Sequence, residues 1–253
     1  RRVTAAKDDL VASLREKKYI ELLPQYEGIA YIEGEARLAE DGVATGERFI
    51  RAPKIVIATG ARPMAPPIPG LEKVRYLTST PLLELDALPK SLVVVGGGFI
   101  GAELAQMMAR MGVAVTMVCR SRLLPQAEPE VSDALMDAFR REGIRLHCGV
   151  AYDACREDAA GVTLHVREDG SLVELRAERL LIATGRAPNV EGLGLAEAGV
   201  AQDERGAIVV DAHMRTSRPG VYAAGDVTNR DQFVYMAAYG AKVAAKNALN
   251  GDA

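Results

Sequence analysis

The rhythm of apolar and polar positions changes several times along the chain, and each rhythm predicts an element. In residues 4–23, TAAKDDLVASLREKKYIELL, Leu10, Leu14 and Ile20 recur at helical spacing among charges, and Pro24 ends the pattern. GIAYIEGEARLAE and ERFIRAPKIVIATG then predict a small β-meander. Residues 63–70, PMAPPIPG, carry four prolines in eight positions and predict an extended crossing between domains. LVVVGGGFIGAELAQMMARMG (92–112) is an apolar strand, a glycine turn and a helix, and VAVTMVCR (113–120) is the next strand. An amphipathic helix over 129–143 and the strand IRLHCGV follow. The alternating VTLHV and LVELR flank Asp169-Gly170, a hairpin signal. GVYAAGD (220–226) predicts a last strand, leading to a small-residue helix from Gln232 that stops at Asn250-Gly251.

One pattern is written twice. KIVIATGARP (54–63) and RLLIATGRAP (179–188) lie 125 positions apart in matching register. Each is a short apolar run, then Ala-Thr-Gly, then a proline three residues past the glycine. A buried strand that ends in a tight turn and leaves its sheet has this form, so the two copies predict one structural role used twice.

Composition narrows the class. With 253 residues, 49% of them hydrophobic and 26% charged, the chain can bury a core of one or two domains. Few aromatics beside abundant Ala, Gly and Val suit an α/β architecture. A net charge of −3 with mixed signs gives no nucleic-acid or membrane footprint. No apolar run is long enough to span a bilayer and no signal-peptide pattern opens the chain. Three unevenly spaced cysteines, Cys119, Cys148 and Cys155, argue against a disulfide framework and for a reducing, cytoplasmic setting. The chain opens at Arg1 inside a helical pattern, as a piece of a longer protein would.

Gly96, Gly98 and Gly101 form G-x-G-x-x-G directly after a strand and directly before a helix. Gly96 permits the tight turn, Gly98 lets the backbone approach a pyrophosphate, and Gly101 lets the helix pack on the strand. Free N–H groups at the helix start then bind phosphate. An NAD site would place Asp or Glu about 20 residues further on to hold the ribose 2′-hydroxyl. Here Cys119 stands at that position, followed by Arg120 and Arg122. Two guanidiniums and no carboxylate favour the 2′-phosphate of NADP.

Together the G-x-G-x-x-G-x-E block, the paired A-T-G runs and VYAAGD resemble the flavin-dependent pyridine nucleotide–disulfide oxidoreductases over essentially the whole chain. PPIPG, LTST, LLIATGRAPN, GAIVVDAHMRTS and the final helix are most similar to that family's mercuric reductase branch, although Leu77, Pro81, Met236 and Tyr239 depart from it. The resemblance implies an α/β fold in which an NAD(P)-binding Rossmann-like domain, residues 69–186, is inserted in part of a related FAD-binding domain, residues 1–68 and 187–253. It implies that each A-T-G run marks a crossing between the domains, putting Thr59, Gly60 and Gly185 among the cofactor-binding residues. Arg186 would lie near flavin and nicotinamide, Glu103 by the nicotinamide, and Gly225 and Asp226 at the flavin's ribityl hydroxyls. The helix starting near Gln232 and Phe233 would aim its N-terminus at the isoalloxazine.

The implied cofactors are FAD and NADPH, and the implied chemistry passes a hydride from NADPH to flavin and on to a dithiol, with mercury(II) as an acceptor. The family's first dinucleotide fingerprint, its redox C-x-x-x-x-C and its C-terminal dimerisation domain have no counterpart in these residues. Cys148 and Cys155 read as a strand residue and a loop residue rather than a redox pair, and His147, His165 and His213 as non-catalytic. No catalytic residue and no metal site is therefore expected in this chain, whose parent would be a homodimer and which itself would be a monomer. A nucleotide-binding module without turnover, and a dithiol-free flavin NAD(P)H dehydrogenase or ferredoxin reductase, stand as alternatives.

Overall fold

A computed structural model of the chain describes residues 2–251; Arg1, Asp252 and Ala253 lie outside the described residues. In chain order the elements are α1 (Arg2–Arg15), β1 (Ala36–Ala39), β2 (Gly42–Thr45), β3 (Arg48–Arg51), β4 (Ile55–Ile57), β5 (Ala61–Pro63) and the short α2 (Ser79–Leu83). Then come β6 (Ser91–Val95), α3 (Phe99–Arg110), β7 (Ala114–Cys119), α4 (Pro129–Arg141) and β8 (Arg145–Cys148). The chain continues through β9 (Ala151–Asp158), β10 (Gly161–Glu168), β11 (Ser171–Ala177), β12 (Arg179–Ile182), β13 (Arg186–Pro188), β14 (Val221–Ala223) and α5 (Val234–Asn250). Two compact units result: residues 1–25 with 63–185, and residues 26–62 with 186–253. The chain thus passes between units just after Gln25, just after Arg62 and just after Gly185. Residues 1–25, expected with 26–68, fall instead in the first unit.

The first unit is built on a parallel sheet of order β12-β6-β7-β8. Its middle strands are buried on both faces, which is why LVVV reads as an unbroken apolar run and VTMV as one interrupted only by the buried Thr116. Leu92 and Val94 of β6 pack with Leu104 and Met108 of α3 and Phe139 of α4. Val93 and Val95 face the other way, onto Val162, Leu164 and Val166 of β10. β10 is the centre of an antiparallel sheet, β11-β10-β9. Asp169 and Gly170 join β10 to β11 with φ of 48° and 80°, the left-handed pair a two-residue hairpin turn requires.

In the second unit β1, β2 and β3 form the antiparallel meander, β4 and β14 pair in parallel, and β5 pairs with β13. Ile57, Val221 and Ala223 bury one face of the β4–β14 pair with Leu38 of β1, while Tyr222 and Ala224 turn to Ala244 of α5.

Three expectations are corrected. The first helix does not reach Leu23: regular α-helix ends at Arg15 and a wider turn, Glu16–Ile20, follows, closed by Glu21 N–H donating to Glu16 C=O at 2.9 Å. Pro24 lies too far along the chain to cause this, because its ring acts on the carbonyl four residues back, at Ile20, and on the residue just before it. Cys155 is not in a loop but in β9, paired with Leu164. The last helix begins at Val234, since Phe233 is extended (φ −125°, ψ 142°) and the turn before it is closed by Phe233 N–H on Asp231 C=O.

Candidate functional site

In the first unit the glycine turn joins β6 to α3 at the carboxyl end of the parallel sheet. Gly96 sits at φ 125°, and a Cβ there would lie 2.2 Å from the Ala183 carbonyl oxygen. A Cβ on Gly101 would lie 2.4 Å from the Gly96 carbonyl oxygen. A Cβ on Gly98 would meet nothing within 4 Å, so here the turn is open to the outside. No side chain caps the start of α3 at Gly98. Two of the glycines therefore serve close packing, and the third leaves an open approach to a helix N-terminus, where backbone donors favour an anion. Gly97 is a residue that motif reasoning missed. Its Cβ would come within 3.0 Å of both the Arg122 carbonyl and the Cys119 Cβ, and its own carbonyl accepts from Leu124 N–H at 2.6 Å. The unbroken Gly-Gly-Gly run was the signal for it.

The end of β7 lies beside this turn. Cys119, where a ribose-reading carboxylate would stand, is buried. Arg120 is exposed, and among the described residues its guanidinium makes no hydrogen bond or ion pair, its charge acting on the nearby Tyr152 hydroxyl. Arg122 differs: its Nη2 donates to the carbonyls of Ala127 (2.8 Å) and Pro125 (3.5 Å), holding the loop that packs on Gly97. Of the two expected phosphate-binding arginines, Arg120 is thus the free cation and Arg122 braces the loop. Glu103 is exposed one turn into α3.

The two A-T-G runs make the same contacts. Thr59 Oγ1 donates to Asn189 C=O at 2.7 Å, and Thr184 Oγ1 donates to Met64 C=O at 2.8 Å. Gly60 C=O accepts from Asn189 N–H at 2.9 Å, and Gly185 C=O accepts from Met64 N–H at 3.0 Å. Shifting either set of residue numbers by the repeat interval produces the other. Both glycines take positive φ, 70° at Gly60 and 133° at Gly185.

In the second unit Arg186 and Asp226 are brought together, Nε to Oδ2 at 3.5 Å, and Arg186 Nη2 also donates to Ala61 C=O. Asp226 opens a short helical turn after β14, preceded by Gly225 at φ 78°, whose Cβ would approach Ala237 of α5 to 3.4 Å. That is ordinary contact distance, so glycine is needed here for its left-handed backbone rather than for close packing. Gln232 Nε2 donates to Asn229 Oδ1 at 3.1 Å, and Phe233 stacks on Tyr235 with ring centroids 5.5 Å apart. The α5 start has no side-chain cap. Asn189, not singled out from the sequence, links both sides of β5–β13 by accepting from Thr59 and donating Nδ2 to Thr59 C=O at 2.9 Å.

A parallel sheet that opens on a G-x-G-x-x-G turn, with a second parallel strand pair ending in A-G-D, defines an α/β oxidoreductase fold of the flavoprotein disulfide reductase kind. The chain belongs to the pyridine nucleotide-disulphide oxidoreductase family, whose model matches residues 2–245. It is 44% identical to a mercuric reductase of Bacillus cereus over 247 residues, covering 97% of this chain and 39% of that protein. A mercuric reductase of Streptomyces lividans is 42% identical over 253 residues, with 98% and 53% covered. Among solved structures, the HOCl-induced flavoprotein disulfide reductase RclA from Escherichia coli is similar with a TM-score of 0.90 and 31% identity, covering 100% of this chain and 57% of that one. LpdA from Mycobacterium tuberculosis is similar with a TM-score of 0.87 and 29% identity, with 98% and 56% covered. The chain spans well under two thirds of the length of each of these relatives. No helix among the described residues is long and apolar enough to cross a membrane.

Proposed function

We propose that the first unit binds NADPH and the second contributes to an FAD site, within an oxidoreductase that reduces a dithiol or a thiolate-bound mercury(II) ion. The observation that carries the nucleotide half is the open face at Gly98, an uncapped helix start with the unpaired guanidinium of Arg120 beside it. Backbone N–H groups at the start of α3 receive the pyrophosphate, and Arg120 receives the 2′-phosphate as a charged hydrogen-bond donor. Cys119 brings no charge to repel that phosphate.

Hydride acceptance from NADPH and onward transfer of the electron pair would be supplied by bound FAD. Toward it Asp226 offers a carboxylate oxygen to hydroxyl donors, Arg186 fixes that carboxylate by their ion pair, and the uncapped start of α5 favours negative charge. The assignment of mercury(II) as final acceptor leans on the mercuric reductase relatives, and a disulfide acceptor on the flavoprotein disulfide reductases of similar fold.

Arg120→Ala tests the nucleotide half. Titration of the variant is expected to show NADPH binding weakened by about 1.5–3 kcal/mol, the worth of a hydrogen bond to a charged group, with NADH nearly unaffected. Equal losses for both nucleotides would overturn the 2′-phosphate assignment.

A further inference from the structure

Cys119 ends β7 and Cys148 ends β8, and the two are register partners across neighbouring parallel strands. Adjacent strands lie about 4.8 Å apart, within the Cα separation of about 4.4–6.8 Å that a disulfide spans. Their side chains share a face: both pack with the cluster between the sheet and α3–α4, and the Cys119 thiol donates to Cys148 Sγ at 3.3 Å. Each sulfur needs to move only about 0.6 Å to reach the bonding distance of about 2.05 Å. Both cysteines are free. The pair lies under the glycine turn, since a Cβ on Gly97 would touch Cys119 Cβ and Sγ at 3.0 and 3.3 Å, and Arg120 follows Cys119 directly.

We infer that Cys119 and Cys148 form a two-electron thiol–disulfide site whose oxidation by small disulfides weakens nucleotide binding at the neighbouring glycine turn; the second half of this rests on the NADPH reading above. Cys148, half-buried on the edge strand, is the attacking sulfur, and Cys119, buried, is the resolving one. The hydrogen bond from Cys119 lowers the Cys148 thiol, assisted by the Arg140 guanidinium and opposed by burial and Glu168, while the same bond and burial push the Cys119 thiol up, so Cys148 is the sulfur of the pair that ionises first. Burial in β9 instead pushes the Cys155 thiol up to about 11.

The Cys148 thiolate attacks one sulfur of the small disulfide, forming a mixed disulfide and expelling one small thiolate. Cys119 then gives up its proton and displaces the second small thiolate, closing the Cys119–Cys148 bond. Two protein thiols lose two electrons, the small disulfide gains them, and the two thiol protons end on the two small thiols. Drawing Cys119 toward Cys148 withdraws the support beneath Gly97 and re-aims Arg120.

The test treats the reduced chain with oxidised glutathione, then reads intact mass, a non-reducing peptide map and NADPH affinity by titration. The expected result is a loss of two hydrogens, a Cys119–Cys148 linked peptide, and NADPH binding weaker by about fivefold or more, the low end of coupling between linked sites. Dithiothreitol restores the affinity, while Cys148→Ser binds NADPH like the reduced parent and ignores the oxidant. Thiols that stay alkylatable, a link to Cys155, or a formed link with unchanged affinity would each overturn the inference. A reduced chain that fails to bind NADPH overturns the proposed function and the nucleotide half together, and the peptide map still decides the thiol half.

Discussion

Three glycines of one motif meet different surroundings, and the difference separates folding from binding. Gly96→Ala puts a side chain at φ 125° and 2.2 Å from the Ala183 carbonyl, adding backbone strain of about 1–3 kcal/mol to a clash with backbone. Denaturant unfolding of that variant is expected to show a markedly destabilised chain. Gly98→Ala sits at φ −79°, which any residue adopts, with open space around its Cβ. It is expected to unfold within about 0.5 kcal/mol of the parent and to bind NADPH more weakly by about tenfold, because the new methyl occupies the approach a pyrophosphate needs. Loss of stability in the second variant, or intact NADPH binding, would contradict the assignment of Gly98 to the ligand. The motif was legible because its spacing is local. The differing environments of Arg120 and Arg122 were not, since only the loop over 121–127 decides which guanidinium is tied to carbonyls.

At the scale of elements, the repeated Ala-Thr-Gly run encodes one exit turn used twice. Each threonine hydroxyl donates to the carbonyl of the strand leaving in the opposite direction, and each glycine carbonyl accepts the N–H of that same residue. Thr59→Val and Thr184→Val are expected to cost similar amounts, about 0.5–1.5 kcal/mol each for a lost hydrogen bond, while the Thr→Ser variants stay near the parent. Denaturant midpoints of the four variants check this, and a loss confined to one threonine would show that the two turns differ in role. Apolar runs announced β6, β7 and β12 because these strands are buried on both faces. β9 escaped notice because AYDACRED has neither an apolar run nor clean alternation, and its strand state comes from pairing with β10. The early end of α1 shows the opposite balance: the stripe of Leu10, Leu14 and Ile20 suggests a longer helix, but regular α-helix ends at Arg15 and the turn widens well before Pro24 can act.

For the whole molecule, the first unit carries a complete strand–glycine turn–helix unit, and among the described residues the second carries no counterpart. There β4 runs out into the Thr59-Gly60 turn and β14 into the short turn at Asp226, neither of which opens a glycine-rich helix start. The purified chain is therefore expected to bind NADPH while retaining little flavin colour. Its visible spectrum, recorded before and after NADPH without oxygen, checks this: a flavin band that bleaches would show that the second unit's residues hold FAD unaided. The relatives' greater length makes mercury(II) or disulfide turnover a property to be tested in a chain of their extent.

By itself the sequence determined the α/β class, the glycine turn between strand and helix, the repeated exit and the lack of a carboxylate at the end of β7, because each rests on neighbours within a few residues or on burial written as an apolar run. Only the tertiary structure decided the rest. It grouped residues 1–25 with 63–185, put Arg186 against Asp226, tied Arg122 to its loop, and set Cys119 beside Cys148. These are contacts between residues remote in sequence, or choices between equivalent side chains. They follow from strand register and packing, which no local pattern of residue types encodes.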